Sequence, residues 1–494
     1  MCKRRKVHCK RGRRTFIIVM DLLKKYVDKF LELDGGEFEK FFDKEKGIYA
    51  FLKENLPIFT CSDKAIEEIY YFRAYTLAKH VKINRYGKFI LTEWLDTESW
   101  IKETDGAISC PVGHHLTELK WWKNGKQIAE DYISFWCYHP EELYYYNNWF
   151  IYAVWDYCSQ TGTMDFAYSI VDKLISYFEK FESGHKANCG IYKGVDNYDG
   201  MEISISGYGL RPTINAYVYA SAYAIYKILE YGGENEKAKY YKAFAEDLRK
   251  KVNEKLFVDG FYQNRPLEEG EEMARYIPKF SNPNQDYNVK ELIGYVPFYF
   301  EMEEKEYVSA WRYVTDEKTF YAPYGLTCAD MSHPQFNFNF NHMCLWNGPV
   351  WPFATTQTLV ALAKTLRKNA DAPVDKKDYC KLLKQYANSQ YITLDGVKRP
   401  WIDEDLDGQT GAWIARDWMY ERDLPYKDRG RDYNHSAYMD LVLGGLVGAY
   451  VENGETKFYP LVDKTEIAEF SVKGLRICGK EYDITYDEKG LTVQ

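Results

Sequence analysis

The sequence predicts an all-α fold, a toroid of helical hairpins that ends in a small β tail. Three observations predict it. Helical periodicity runs through most of the 494 residues, up to about residue 450. The helical stretches come in neighbouring pairs. The loops between them are long and rich in Trp, Tyr and Gly, and loops held on a rigid helical scaffold are where sites usually sit.

Each element has its own signal. "FIIVMDLLKKYVDKFLELDG" opens a helix that Gly35 and Gly36 close. "SDKAIEEIYYFRAYTLAKHVK" starts a second, with Ser62 as its expected N-cap. "EELYYYNNWFIYAVWDYCSQTG" and "MDFAYSIVDKLISYFEKFES" form one pair. "TINAYVYASAYAIYKILEYGG" and "NEKAKYYKAFAEDLRKKVNEKLF" form another, joined at Gly232 and Gly233. "GPVWPFATTQTLVALAKTLRKN" pairs with "KKDYCKLLKQYANSQYI", and "NHSAYMDLVLGGLVGAYV" ends the series. From about Gly454 the pattern changes to short alternating runs with Gly turns, which read as strands. The expected organisation is a basic, disordered arm over 1–14, a helical domain over 15–452 and a small β appendage over 453–494.

Composition narrows the function. Apolar residues make up 46% of the chain, so a sizeable core is available. The formal charge is −8 with both signs mixed, which argues against a nucleic-acid or anionic-membrane partner. No window reaches the length of a membrane span. There are 45 Tyr and 13 Trp, and rings of this kind either fill a core or stack on sugar faces. The 11 Cys lack any pairing rhythm and no CxxC occurs, which reads as reduced thiols in a cytoplasm. The apolar run "FIIVM" is too short for the core of a signal peptide. Oligomeric state is not legible.

No HExxH, Cys/His cluster, GxSxG, P-loop or dinucleotide fingerprint appears, so neither a metal nor a cofactor is expected. What remains are acids in glycine- and ring-rich loops. One loop, "DNYDGMEISISGYGLRPTIN", holds Asp196, Asp199 and Glu202. The other, "KRPWIDEDLDGQTGAWIARDW", holds Asp403, Glu404, Asp405 and Asp407. Glycoside hydrolysis needs two carboxyl groups across a cleft, one protonated and one ionised. Apolar surroundings keep the first protonated. Against this, single acids beside a helix are commonly caps, and Asp/Gly clusters are commonly turns.

Four stretches bring in a resemblance: "DGMEISISGYGLRPTINAYVYASAYAI", "LWNGPVWPFATTQTLVALA", "WIDEDLDGQTGAWI" and "DYNHSAYMDLVLGGLVG". They resemble the successive motifs of six-hairpin glycosidases, most closely the mannosylglycerate-hydrolase-like group related to glycoside hydrolase family 63 and trehalases. "YYFRAYTLAKHVK" and "GHHLTELKWWKN" resemble its early motifs. The resemblance covers Tyr70 to Tyr450 and implies an (α/α)6 barrel, a carbohydrate substrate and hydrolysis with inversion.

It also implies roles. Family 63 relatives show a Gly, an apolar residue and then an acidic Asp. Here "GME" puts Glu202 at that place, as general acid, with Asp199 as its rival. The base maps onto Glu404, with Asp403 and Asp405 as solvated or capping neighbours. Trp346, Asn347 and Trp351 in "WNGPVWP", Arg211 and His435 are expected to touch substrate. Trp346, Asn347 and Trp351 have helix-start packing as their structural alternative, and His435 a buried, satisfied ring. Arg211 has a further alternative, pairing with Glu202 or Asp199. Two other classes compete: a sugar epimerase on the same barrel, which relies on paired histidines, and a noncatalytic glycan-binding protein.

Overall fold

The computed structural model describes residues 22–35, 41–43, 45–96, 101–273, 275–279 and 281–494. The basic arm expected over 1–14 and the first turns of the helix expected from Phe16 lie outside the described residues. The chain is helix-rich, with small sheets. No helix among the described residues is long and apolar enough to cross a membrane.

The helix Pro212–Tyr231 lies at the centre of the packing. Its sequence is apolar nearly all round, and small residues such as Ala216, Ala220, Ala222 and Ala224 are fully buried. A helix of that kind must be covered on every side. Its neighbours are Phe150–Thr161, Val171–His185 and Asn235–Leu256. The last of these is amphipathic. Ala238, Tyr241, Ala245, Leu248, Val252 and Leu256 recur every three to four residues and face inward. Pro352–Lys368 and Lys376–Ser389 pack together as a second such pair. Asp375 and Asp378 form a capping box that starts the latter.

Several expected elements differ in detail. Asp63, not Ser62, caps the helix Lys64–His80, accepting from the N–H groups of Ala65 and Ile66. Ser62 Oγ instead accepts from Ala468 and Glu469 N–H and so anchors the tail. The stretch expected as one helix from Glu141 is two, Pro140–Tyr145 and Phe150–Thr161. Asn147 and Asn148 break it because both side chains bond elsewhere, Asn148 to the Leu143 and Tyr146 carbonyls. The last expected helix shrinks to a π-type turn, Leu441–Leu446, followed by a strand, Ala449–Glu452. Gly448, at φ +74°, lets the chain leave the turn so abruptly.

The tail is β structure, but its sheet is shared. Ile58–Cys61, from near the start of the chain, pairs antiparallel with Phe470–Ile477. Lys480–Asp487 and Gly490–Val493 then add in order. The strand Ile58–Cys61 lies only three residues before the helix Lys64–His80, so the sheet is held directly against the helical body.

The early motifs also act at long range. Arg73, buried, donates to the Ser436 carbonyl and hydroxyl and to Gln390. His80 Nε2 lies 2.7 Å from the Asp432 carbonyl, and His115 Nε2 lies 2.6 Å from that of Asn434. Glu118 accepts from the N–H groups of Tyr438, Met439 and Asp440, supplying the cap that the turn after them lacks. Between them these four side chains fix residues 432–440.

Candidate active site

The acid-rich loop before Pro212–Tyr231 divides its labour. Asp196 is buried and accepts from Asn197 N–H and from the N–H and hydroxyl of Ser204, so it closes the turn. Asp199 is buried too. Its Oδ2 takes Arg211 Nε at 2.6 Å and the Thr213 hydroxyl at 2.5 Å, and its Oδ1 takes Asn147 Nδ2 at 2.7 Å. It therefore ties the loop to the helix start. Glu291, remote in sequence, accepts from Ile205 and Ser206 and holds the far side of the loop. Gly200 turns the backbone at φ +71°, and a Cβ on Gly209 would meet the Arg265 carbonyl at 2.4 Å. Gly207 also has positive φ.

Glu202 is the acid of this loop that faces a cavity. The cavity is about 390 Å³, and Glu93, Glu202, Glu404, Arg429 and His435 are among its lining. Burial pushes the Glu202 carboxyl up to about 7; the Asp196 and Glu404 charges add to this, and a hydrogen bond from Cys344 opposes it. The residue after it, Ile203, is fully buried at φ +59°, a conformation that β-branched residues rarely adopt. Backbone strain of this kind persists only where the surroundings enforce it, and it clusters at functional sites.

Glu404 comes from the second acid loop and lines the same cavity. Its Oε1 accepts from Arg429 Nε at 3.2 Å and Nη2 at 3.1 Å, so the guanidinium is its counter-ion. Asp403 and Asp405 are buried rather than solvated, which corrects the first of the two expectations for them. Asp405 does cap, accepting from Ala415 N–H at the start of Ile414–Glu421. Asp403 accepts from the Trp401 indole and from Glu404 N–H. Asp407 organises a turn through Gln409 and Thr410.

Of the expected substrate contacts, three line the cavity: Trp346, Trp351 and His435. The two indoles stack on each other, centroids 4.4 Å apart and 13° from parallel. His435 is buried, and neither ring nitrogen makes a well-formed hydrogen bond, although the backbones of Tyr433 and Glu404 lie close enough to interact with the ring. Burial holds its pKa well below the usual histidine range. Asn347 and Arg211 are not in the lining. Asn347 donates to the Phe338 carbonyl and shapes the neighbouring loop. Arg211 pairs with Asp199 through Nε and donates to the Gly207 carbonyl through Nη1, because a buried guanidinium needs a counter-charge. Asp199 is likewise absent from the lining.

The cavity also holds residues that sequence reasoning missed. Glu93 is a third carboxyl, raised to about 8 by burial despite a hydrogen bond from the Tyr433 hydroxyl. Trp94, Tyr146, His342, Cys344, Arg429 and Tyr433 complete much of the wall. "TEWLD" around Glu93 pairs an acid with a ring, a signal that was present but isolated from the other acid loops. Arg429 sits in a charge-rich stretch that reads as surface.

A family model described as the mannosylglycerate hydrolase MGH1-like glycoside hydrolase domain matches residues 104–436. Comparison with curated proteins gives no significant match. Among solved structures, one titled "Sialidase" is 29% identical with a TM-score of 0.80, and the match covers 90% of this chain and 40% of that one. An α-L-rhamnosidase from Aspergillus terreus is 12% identical with a TM-score of 0.53, covering 89% and 47%. The α-L-rhamnosidase from Dictyoglumus thermophilum is 13% identical with a TM-score of 0.52, covering 88% and 43%. This chain thus spans less than half the length of each of these three chains, and the rhamnosidases share its fold alone. The family match takes in more than half of the chain and contains Glu202, Glu404, Arg429 and His435: the chain belongs to the mannosylglycerate hydrolase MGH1-like glycoside hydrolase family.

Proposed function

We propose that this chain hydrolyses the O-glycosidic bond of a small glycoside, with Glu202 as general acid and Glu404 as general base. The observation that carries the reading is the pairing of unlike carboxyl groups in one cavity. Burial keeps Glu202 protonated up to about pH 7, while Glu404 faces a guanidinium. Protonation of the leaving oxygen by Glu202 and activation of water by Glu404 then cleave the bond. Asp199 is the weaker candidate for the acid, since three donors already occupy its oxygens. Trp346, Trp351 and His435 are the proposed sugar contacts. Inversion is part of the reading and needs the carboxyl groups roughly 6.5–9.5 Å apart.

The reading further comprises an (α/α)6 toroid over 15–452 with a small β appendage over 453–494, in a cytoplasmic protein. Helix pairing supports the first, and unpaired thiols support the last. The test is turnover of aryl glycosides and natural oligosaccharides by wild type and Glu404→Gln, with product anomers followed by NMR. A released sugar of opposite anomeric configuration, lost in Glu404→Gln, is expected. An isomerised sugar with its glycosidic bond intact would instead identify an epimerase, and binding without turnover a glycan-binding protein.

A further inference from the structure

We infer that the far end of the helix Pro352–Lys368 carries a second ligand site, which binds a phosphate group, free or borne on a sugar, at Lys364 and Arg367. The inference does not depend on the hydrolase reading. The helix runs from one cavity to another. Phe353, at its start, lines the cavity of Glu202. Lys364, Arg367 and Lys368, in its last turns, line a second cavity of about 910 Å³. At roughly 1.5 Å per residue, Phe353 and Arg367 lie about 20 Å apart along the axis. The helices Phe150–Thr161 and Pro212–Tyr231 lend Trp155, Asp156, Tyr223 and Glu230 to the second wall.

Charge in this second cavity is unevenly matched. Each carboxylate of its described lining already has a cation within 2.9 Å: Asp156 and Asp440 share Lys120, Glu230 holds Lys227, Glu301 holds Lys368 and Glu452 holds Lys457. Lys364 and Arg367 make no ion pair among the described residues. Lys364 Nζ donates to the Tyr152 hydroxyl and the Tyr299 carbonyl, both at 2.8 Å, which leaves one of its three donors open. Arg367 donates from Nη2 to the Gly444 carbonyl, and its Nε is buried without a partner. Lys120, Lys364 and Arg367 therefore outnumber Asp156 and Asp440 by one charge. Burial lowers the pKa of both Lys364 and Arg367, and the Lys120 and Arg367 charges lower that of Lys364 further, although Glu301, Asp156 and Asp440 act the other way at longer range. Lys364 and Arg367 stand three residues apart and so share one face of the helix. A phosphate oxyanion accepts from ammonium and guanidinium together, fills the open donors and offsets the excess charge. The cavity is near the upper end of the roughly 300–1,000 Å³ range of ligand sites, so a sugar fits beside the phosphate. Trp155, partly exposed and edge-on to Tyr152 and Tyr223, offers a face for its ring.

The experiment titrates the full chain by calorimetry at pH 7, in low-salt buffer free of oxyanions, with inorganic phosphate, glucose 6-phosphate and glucose. At least one of the two phosphate probes should bind with a Kd of about 1 mM or tighter. Tighter binding of glucose 6-phosphate names a sugar phosphate as the ligand; otherwise it is the free ion. Lys364→Met and Arg367→Met should each weaken phosphate binding roughly tenfold or more, the size of one charge-assisted hydrogen bond, and leave any glucose binding as it was. Arg429→Met, at the one Lys or Arg among the described lining of the Glu202 cavity, should leave phosphate binding unchanged. No binding of either phosphate probe overturns the inference. So does phosphate binding that survives in either of the Lys364 and Arg367 variants, that falls together with glucose binding, or that is lost in Arg429→Met. Where a variant does not fold, crystals of the wild type soaked in tungstate decide: an anomalous peak at Lys364 and Arg367 supports the site, and its absence there overturns it.

Discussion

Cys344 Sγ lies 2.8 Å from Oε2 of Glu202, so a thiol donates to the carboxyl group proposed as the general acid. The hydrogen bond favours the ionised form and opposes the burial that keeps Glu202 protonated. Protonation state at the site is therefore a balance between the loop that buries Glu202 and a side chain 142 positions later.

The pH profile should register that balance. A general acid works while protonated, so wild-type kcat should fall as pH rises through about 7. Cys344→Ala removes the opposing hydrogen bond and should move this alkaline limb upward by roughly half to one pH unit. Cys344→Ser keeps a donor and should move it less. A limb that stays put in Cys344→Ala would detach Glu202 from the acid role.

Glu202→Gln and Glu404→Gln should each lower kcat on the order of a hundredfold or more, with folding intact by circular dichroism. Asp199→Asn should act differently. It leaves Arg211 buried without its charge partner, a change that costs roughly 3–5 kcal/mol. Thermal melting should show a large drop in Tm. If Glu202→Gln stays active and folded Asp199→Asn does not, the acid role passes to Asp199.

Glu93 should show the opposite sign in stability. Its folded pKa is raised from 4.5 to about 8. The favourable protonated state is fully present below pH 4.5, and that advantage disappears as pH rises through about 8. Ionising the buried group then costs a few kcal/mol. Glu93→Gln should therefore leave Tm nearly unchanged at pH 4 and raise it at pH 9. A uniform loss of Tm at both values would refute the assignment.

His435→Phe should separate stability from function. Only loose contacts with the Tyr433 and Glu404 backbones are lost, so Tm should change little. Substrate hydroxyl contacts would be lost, and kcat/KM should fall roughly 10- to 100-fold, the size of two neutral hydrogen bonds, one to each ring nitrogen. Unchanged kinetics would make His435 part of the wall alone.

Local signals in the sequence determined a good deal here. The helix pairs, the β character of the tail, and the two acid loops with Glu202 and Glu404 are all legible, because periodicity, glycine placement and motif order are properties of neighbouring residues. Tertiary structure decided the rest. Asp199 and Glu202 are three residues apart in one polar loop, and nothing local says which faces a cavity. Arg211, Thr213 and Asn147 claim the first, and the left-handed turn at Ile203 adjoins the second. Glu93, Cys344 and Arg429 reach the site from three distant segments, and a strand from residues 58–61 completes the tail's sheet. Burial raises Glu93 and Glu202 together, and burial is a property of the packed chain, which no short stretch of sequence carries.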